Sequence, residues 1–162
     1  MQAWLTKLSV SWLFLASLLV ASAGAQASTG RTGTIVNSRT GYAQLIGRHK
    51  FQLHWISWGN WQKFGDLTVT NRDGLLVVNG RYSDDQTGDF IEIDGVVTRV
   101  EERSFDFEGT IVTRVSHINN GDPCTREGAM TFAIKGKRRY WRLQQMQNPC
   151  DAATDYVDIF LR

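Results

Sequence analysis

From Phe51 to the C-terminus, apolar and polar positions alternate with a period of two, which is typical of β-strands that bury one face. The first run shows the pattern, because Phe51, Leu53 and Trp55 alternate with Gln52 and His54. Further alternating pairs occur at Leu67 and Val69, Leu76 and Val78, Phe105 and Phe107, Met130 and Phe132, and Val157 and Ile159. No helical pattern longer than a turn or two interrupts these runs, so this part of the chain is predicted to be all-β.

Turn signals separate the predicted strands at hairpin spacing. Asp73-Gly74 suits a tight turn, residues 119–123 (Asn-Asn-Gly-Asp-Pro) form the strongest loop signal, and Gly136 marks a hairpin tip. Asp94-Gly95 breaks a long β-prone run and indicates either a bulge or a tight turn. These signals predict an antiparallel up-and-down meander of about seven or eight strands. Closure into a small barrel removes the exposed edges, and a β-sandwich is the alternative.

The N-terminal stretch has the three parts of a secretory signal peptide. Lys7 supplies a positive charge, Leu8 to Val20 form an apolar run, and Ala25-Gln26-Ala27 places small residues where a signal peptidase cleaves. The apolar run is about 13 residues long, short of the roughly 20 that span a bilayer, which favours a cleaved signal over a membrane anchor. We therefore predict a signal peptide over residues 1–27 and a periplasmic or secreted protein.

Removal of the signal leaves roughly 135 residues, which suit one domain. Residues 28–48 are small and polar, and we predict a flexible N-terminal segment there, with at most one short helical turn between Tyr42 and Ile46. Residues 49–162 are predicted to form the barrel domain. No later apolar run is long enough to cross a bilayer, so no integral membrane segment is expected after cleavage.

Both cysteines, Cys124 and Cys150, lie in the predicted barrel domain. An even cysteine count in an exported chain indicates a disulfide, and two cysteines allow only one pairing. They flank the hairpin whose tip is Gly136, so the two sulfurs are expected to meet at its open end. A metal pair or a catalytic thiol is the alternative, and His117 is the nearest histidine. We predict the disulfide, which stabilises by about 3.5 kcal/mol on the chain-entropy model.

The net charge of the whole chain is +2 at pH 7, and Lys7 leaves with the signal. A nearly neutral domain gives no electrostatic argument for nucleic acid or for an anionic membrane surface. The basic cluster near the Gly136 tip comprises Lys135, Lys137, Arg138, Arg139 and Arg142, with Tyr140 and Trp141 among them. This cluster is typical of a solvated hairpin tip, and contact with an acidic partner protein is its alternative role.

Motifs for catalysis are absent from the sequence: it has no Gly-x-Ser-x-Gly, no His-Glu-x-x-His and no phosphate-binding glycine loop. His49 and His54 have opposite strand parity, and His117 is predicted to lie at a barrel rim. The strand carboxylates fall opposite the apolar face; they are Glu92, Asp94, Asp106 and Glu108. That position indicates a solvated outer face rather than the paired acids of a glycosidase cleft. We predict no catalytic residue, no metal and no cofactor.

Tryptophan is the most informative residue type. Trp55, Trp58 and Trp61 lie within seven residues, and the first two have opposite parity in a regular strand. At least one of them must then lie at the mouth or on the outside, where tryptophan often marks a binding surface. Core packing is the competing interpretation, with Trp61 closing one barrel end. We predict a ligand-binding mouth lined by Trp55, Trp58, Tyr82 and Trp141.

One succession of short motifs extends over residues 59–82: Gly59-Asn60-Trp61, Phe64-Gly65, Asp73-Gly74 and Gly80-Arg81-Tyr82. It resembles the opening of calycin-type barrels, since in lipocalins and avidins a Gly-x-Trp begins the first strand. The resemblance implies an up-and-down barrel with a pocket at one end, with Tyr82 where avidins place a ligand-binding tyrosine. Gln62, Lys63 and Asp66 replace the polar residues that meet biotin in avidins, so the resemblance implies the shape and not biotin binding.

These observations lead to two functional hypotheses. The first is an exported, non-catalytic β-barrel that binds a small apolar or amphipathic molecule at its mouth. The alternative is a protein-interaction or inhibitor module that acts on an envelope or extracellular protein, with residues 119–123 and the Lys137 tip as contacts. An enzyme would require His117 within hydrogen-bond distance of a carboxylate inside a cleft.

Overall fold

The computed structural model describes residues 33–58 and 62–162. The predicted signal peptide, residues 1–27, and Trp61 lie outside the described residues. The elements in chain order are β1 (Ile35–Val36), α1 (Arg39–Leu45), β2 (Gly47–Leu53), α2 (His54–Ser57), β3 (Gly65–Arg72), β4 (Leu75–Ser83), β5 (Phe90–Val100), β6 (Ser104–Arg114), a 3-10 turn (Asn119–Gly121), β7 (Cys124–Ala133), β8 (Tyr140–Leu143) and β9 (Val157–Phe160).

Strands β2 to β9 form a closed antiparallel barrel in which each strand pairs with its neighbours along the chain. The last strand closes on the first, with Phe51 opposite Ile159 and Leu53 opposite Val157. This arrangement confirms the predicted all-β class and the barrel rather than the sandwich. Strand β1 adds a short parallel pairing to the end of β5, where Val36 lies opposite Val100.

Residues 33–48, within the segment expected to be flexible, carry regular structure. Helix α1 begins after Ser38, whose side-chain oxygen accepts a hydrogen bond from the Gly41 amide at 3.1 Å. Gly41 packs so closely on the β5–β6 turn that a Cβ there would lie 2.0 Å from the carbonyl oxygen of Glu101. Leu45 is buried at the end of the helix. The helix therefore covers one end of the barrel.

Strand β5 continues through Asp94-Gly95, where the sequence indicated a bulge or a turn. The irregularity lies further along, between Val97 and Arg99. Gly95 lies opposite Gly109 of β6, and a Cβ on either glycine would lie 2.7 Å from Cζ of Phe107. The two glycines therefore leave room for the Phe107 ring inside the barrel, which is a packing role and not a turn.

Large side chains fill the barrel. The largest rings in the core are Phe51, Phe105, Phe107, Phe132 and Trp141. Phe105 stacks on Phe132 with ring centroids 5.1 Å apart and meets the edge of Trp141 at 5.8 Å. Because each such side chain contributes about 1.5–3 kcal/mol when buried, this interior is the main source of stability.

The barrel has two different ends. We call one the helix end: it comprises residues 33–46, the β3–β4 and β5–β6 turns, the β7–β8 tip (134–139) and the C-terminal residues 161–162. We call the other the disulfide end: it comprises the segments 54–58, 62–64, 84–89, 115–123 and 144–156. Cys124 and Cys150 form a disulfide at this second end, with a Cα–Cα distance of 5.9 Å, which confirms the predicted pairing.

Candidate functional site

A pair of tryptophans stands at the disulfide end. Strand β2 ends at Leu53, and the short helix α2 that follows carries Trp55, with Trp58 directly after it. The two indole rings stack with centroids 6.2 Å apart and an interplanar angle of 22°. Trp58 is 72% exposed, whereas Trp55 is half-buried and meets the edge of His117 at 5.8 Å. One face of the pair is thus anchored and the other is presented to solvent.

Below Trp55, a buried acid closes the mouth of the barrel. The Asp155 carboxylate accepts hydrogen bonds from Asn148 at 3.0 Å and from Arg126 at 3.2 Å. Burial raises the pKa of Asp155 above its ordinary value, although Asn148 and Arg126 offset part of that rise. The Trp55 indole N–H is buried beside this carboxylate but does not meet hydrogen-bond geometry. It nevertheless favours the charged form of Asp155 and so also offsets part of the rise in pKa. We call this group of Asp155, Asn148 and Arg126 the polar plug. It supports Trp55, the inner ring of the tryptophan pair.

Buried apolar side chains occupy the interior behind the plug. The space between Ile111, Arg126 and Val157 is too small to hold a water molecule. Trp141, expected at the mouth, is only 2% exposed and lies in the core, where it meets His49 at 5.7 Å. The structure therefore separates Trp141 from the tryptophan pair.

Tyr82 lies beside an open groove of about 430 Å³ at the same end. The groove is lined by residues 62–64 and 82–86, and Lys63 donates a 2.6 Å hydrogen bond to Asp84 across it. That hydrogen bond holds the pKa of Asp84 below its usual range and raises that of Lys63. The Ser57 hydroxyl donates to the Lys63 carbonyl at 3.0 Å, which ties this groove to the chain that carries Trp58.

A second polar cluster, which the sequence analysis missed, lies on the outside of β8 and β9. The Asp158 carboxylate accepts two hydrogen bonds from Arg142, at 2.6 and 2.7 Å, and meets Nε2 of His54 at 2.8 Å. The Arg142 guanidinium also lies 4.5 Å from the Tyr156 ring centroid. Burial alone would raise the pKa of Asp158, but the bonds from Arg142 and His54 outweigh it and lower that pKa.

The sequence contained one signal for this cluster. Asp158 stands between Val157 and Ile159, so a carboxylate occurs in a strand that is otherwise apolar. Strand parity places Asp158 on the outer face of the barrel, where acidic residues are common and therefore carry little information. Only the register between β8 and β9 shows that Arg142 lies opposite it. The histidine that lies beside a carboxylate in this cluster is His54. The sequence had directed attention to His117 for such a pairing.

The strand carboxylates occupy the outer wall, as their parity predicted. Glu92 pairs with Arg81, Asp94 accepts a hydrogen bond from Asn79, and Asp106 accepts one from Thr131 at 3.0 Å. These are cross-strand contacts of a solvated sheet face. Within residues 33–58 and 62–162, no three His, Cys, Asp or Glu side chains form a group suited to a metal ion.

Fold and site together define a small antiparallel barrel with a core of buried side chains and a stacked, partly exposed tryptophan pair at its disulfide end. The chain belongs to the PM1083 family, whose model matches residues 33–161. It is 45% identical over 117 residues to Uncharacterized protein PM1083 of Pasteurella multocida (strain Pm70), an alignment that covers 72% of this chain and 73% of that protein.

No solved structure matches this chain significantly. The comparisons identify no calycin family, so the likeness to lipocalins and avidins is limited to a compatible barrel shape. In the described part of the chain, no helix has the length and apolar character needed to cross a membrane.

Proposed function

We propose that this protein is an exported, non-catalytic interaction module that binds a partner protein at its disulfide end. The observation that carries the proposal is the exposed Trp58 ring stacked on the anchored Trp55 ring. Tryptophan is enriched among the residues that dominate binding energy in protein interfaces. A ring already held in place loses little conformational freedom when a partner covers it.

The filled barrel favours a protein partner over a small molecule. Small-molecule sites are usually concave and enclose most of their ligand. Here the mouth is closed by Asp155 and Trp55, and the concavity beside Tyr82 is open to solvent. A protruding aromatic ring on such a surface suits a pocket on the partner.

Charge indicates what that pocket should look like. Asp85, Asp122 and Asp151 are exposed at the disulfide end, while Lys63 there is bonded to Asp84. We therefore expect the partner to present an apolar pocket with a cationic rim. Opposite charges across an interface mainly accelerate association and select the partner.

Export is supported by two features. The chain forms a disulfide, which persists in oxidising compartments such as the periplasm or the extracellular space. The family match begins at residue 33 and leaves the predicted signal peptide outside it.

A small apolar or amphipathic ligand in the open groove beside Tyr82 is the second candidate. Its volume of about 430 Å³ is within the range of ligand sites. The half-buried Tyr82 ring supplies an apolar wall there, and burial is the main reason that its pKa is raised.

The experiment uses the mature, oxidised protein as bait in an envelope extract, followed by purification of the captured protein. Affinity of that purified partner is then measured against the wild type and against Trp58→Ala. We expect the variant to bind about 30-fold more weakly, as for a central tryptophan contact. Val36→Ala, an exposed apolar change at the helix end, is the matched control and should bind normally.

Two outcomes would contradict the proposal. One is a captured protein that binds Trp58→Ala as tightly as the wild type. The other is binding of lipids or other amphipathic small molecules that Trp58→Ala retains and Tyr82→Ala loses, since that result would support the groove instead.

A further inference from the structure

Exposed positive charge is concentrated at the helix end. This end and the strand residues that adjoin it carry ten cationic side chains against four acids. All ten cations are exposed: Arg39, Arg48, Arg72, Arg99, Arg103, Lys135, Lys137, Arg138, Arg139 and Arg162. The acids are Asp73, Glu101, Glu102 and Asp106, the last of which lies opposite Arg99.

Few of these cations are neutralised by neighbours. Among the described residues, ion pairs join Arg48 to Asp66 at 3.7 Å and Arg99 to Asp106 at 4.0 Å. Exposed pairs of this kind interact weakly. Arg103 and Arg162 donate to the carbonyls of Gly136 and Ala43, which orient the guanidinium groups without cancelling their charge.

The arrangement suits a flat surface better than a shaped ligand. The cations come from α1, from β2, from the ends of β3 and β5, from the turn after β5, from the β7–β8 tip and from the C-terminus, so they are distributed around one end of the barrel. A concavity of about 330 Å³ touches this set only at Arg48 and Arg162. Cations that are widely spread on long side chains produce an extended positive potential and do not form a binding pocket.

Exposed apolar side chains lie at the same end. Ile35 is 51% exposed and Val36 43% exposed, and both belong to β1, which pairs with the end of β5 beside Arg99. Cations next to a small apolar patch are typical of proteins that lie on a membrane surface.

We propose that the helix end docks on an anionic lipid surface. The cations contribute through their attraction to lipid phosphates, and Ile35 and Val36 contact the boundary of the acyl region. This inference goes beyond the proposed function, because it uses the opposite end of the barrel. Docking in this orientation leaves Trp58 and the disulfide end directed away from the bilayer.

The test measures binding of the mature, oxidised protein to phosphatidylcholine vesicles with and without phosphatidylglycerol. We expect binding only to the anionic vesicles and a steep loss as salt rises, because salt screens exposed charges. The variant that combines Lys137→Gln, Arg138→Gln and Arg139→Gln should bind roughly 100-fold more weakly, since each cation near such a surface contributes about fivefold.

The control variant combines Asp85→Asn with Asp122→Asn at the disulfide end and should bind vesicles at least as well as the wild type. Equal binding to neutral and anionic vesicles, or undiminished binding of the triple variant, would overturn the proposal. Binding to soluble polyglutamate without binding to anionic vesicles would also overturn it, since it would assign this end to an acidic protein. Circular dichroism of each variant checks that the barrel is intact.

Discussion

The two ends of the barrel are built and charged in different ways. The disulfide end is tied by Cys124–Cys150, closed by the buried Asp155 and bears the exposed Trp58. The helix end has no cysteine, is covered by α1 and carries most of the exposed cations. Over the described residues, positive and negative side chains are equal in number, so the charge difference lies between regions and not in the total.

This difference shows that one barrel can separate two tasks. The core is shared, and its side chains come from every strand from β2 to β9. Each end can therefore change its loops without changing the interior. A membrane contact at one end and a protein contact at the other would then be independent, and stability measurements can test whether the ends behave separately.

The largest expected effect is at the disulfide end. Replacement of both cysteines, Cys124→Ala with Cys150→Ala, should lower the free energy of unfolding by about 3.5 kcal/mol, because the denatured chain regains the freedom of the closed loop. Denaturant titration of the variant beside the wild type measures the loss. A loss below about 1 kcal/mol would show that the loop from 144 to 156 is held by Asn148 and Asp155 without the disulfide.

Cavity formation should give the next largest effect, at the helix end. Leu45 is buried where α1 covers the barrel, and Leu45→Ala should lower the free energy of unfolding by about 2–3 kcal/mol. The emission of Trp58 at the far end, taken as the difference between proteins with Trp58 and with Trp58→Ala, should be the same in Leu45→Ala as in the wild type below the unfolding transition. A shift in that emission would break the comparison, since it would couple the two ends.

The sequence predicted the architecture well because the strand pattern is local. Alternation of apolar residues and turns such as Asp73-Gly74 are readable without tertiary information, and so is the pairing of two cysteines. The role of Gly95 could not be predicted for a physical reason: a glycine in a strand favours a bulge, but it also leaves space for a neighbouring ring. Only the register that places Gly109 opposite it distinguishes the two roles.

The candidate sites were only partly predictable, because they depend on which residues meet at one end. One indole of the pair is exposed, but strand parity is not the reason, because β2 ends at Leu53 and Trp55 lies in helix α2. Trp141 has the same composition signal, but its strand position directs it into the core. The net charge of the chain gave no sign of the positive helix end. It adds the charges of all residues, so the difference in charge between the turns at the two ends cancels.

Two acids three residues apart should respond to pH in opposite directions. The raised pKa of Asp155 means that the folded protein binds its proton more tightly, so this residue lowers stability as the pH rises from about 3.8 through the folded pKa. The lowered pKa of Asp158 means that its contribution is present above about 3.8 and is lost as the pH falls through the folded pKa.

Single variants separate these contributions. Asp155→Asn should remove the loss of stability that accompanies rising pH, and Asp158→Asn should remove the loss that accompanies acid. Urea titrations at a series of pH values measure both slopes. If the two variants changed the slope in the same direction, the plug at the disulfide end and the outer cluster with Arg142 would belong to one coupled network.

The smallest expected effect concerns the like charges at the helix end. Because Lys137, Arg138 and Arg139 are exposed and adjacent, the combined change of Arg138→Gln and Arg139→Gln should stabilise the fold by a few tenths of a kcal/mol at low salt. Added salt should abolish the gain, because it screens the repulsion in the wild type. Arg81→Gln, which loses its partner Glu92 on the outer wall, should instead destabilise by up to about 1 kcal/mol. Equal responses of the two variants would mean that the cations of the helix end are compensated locally and do not form the field on which docking depends.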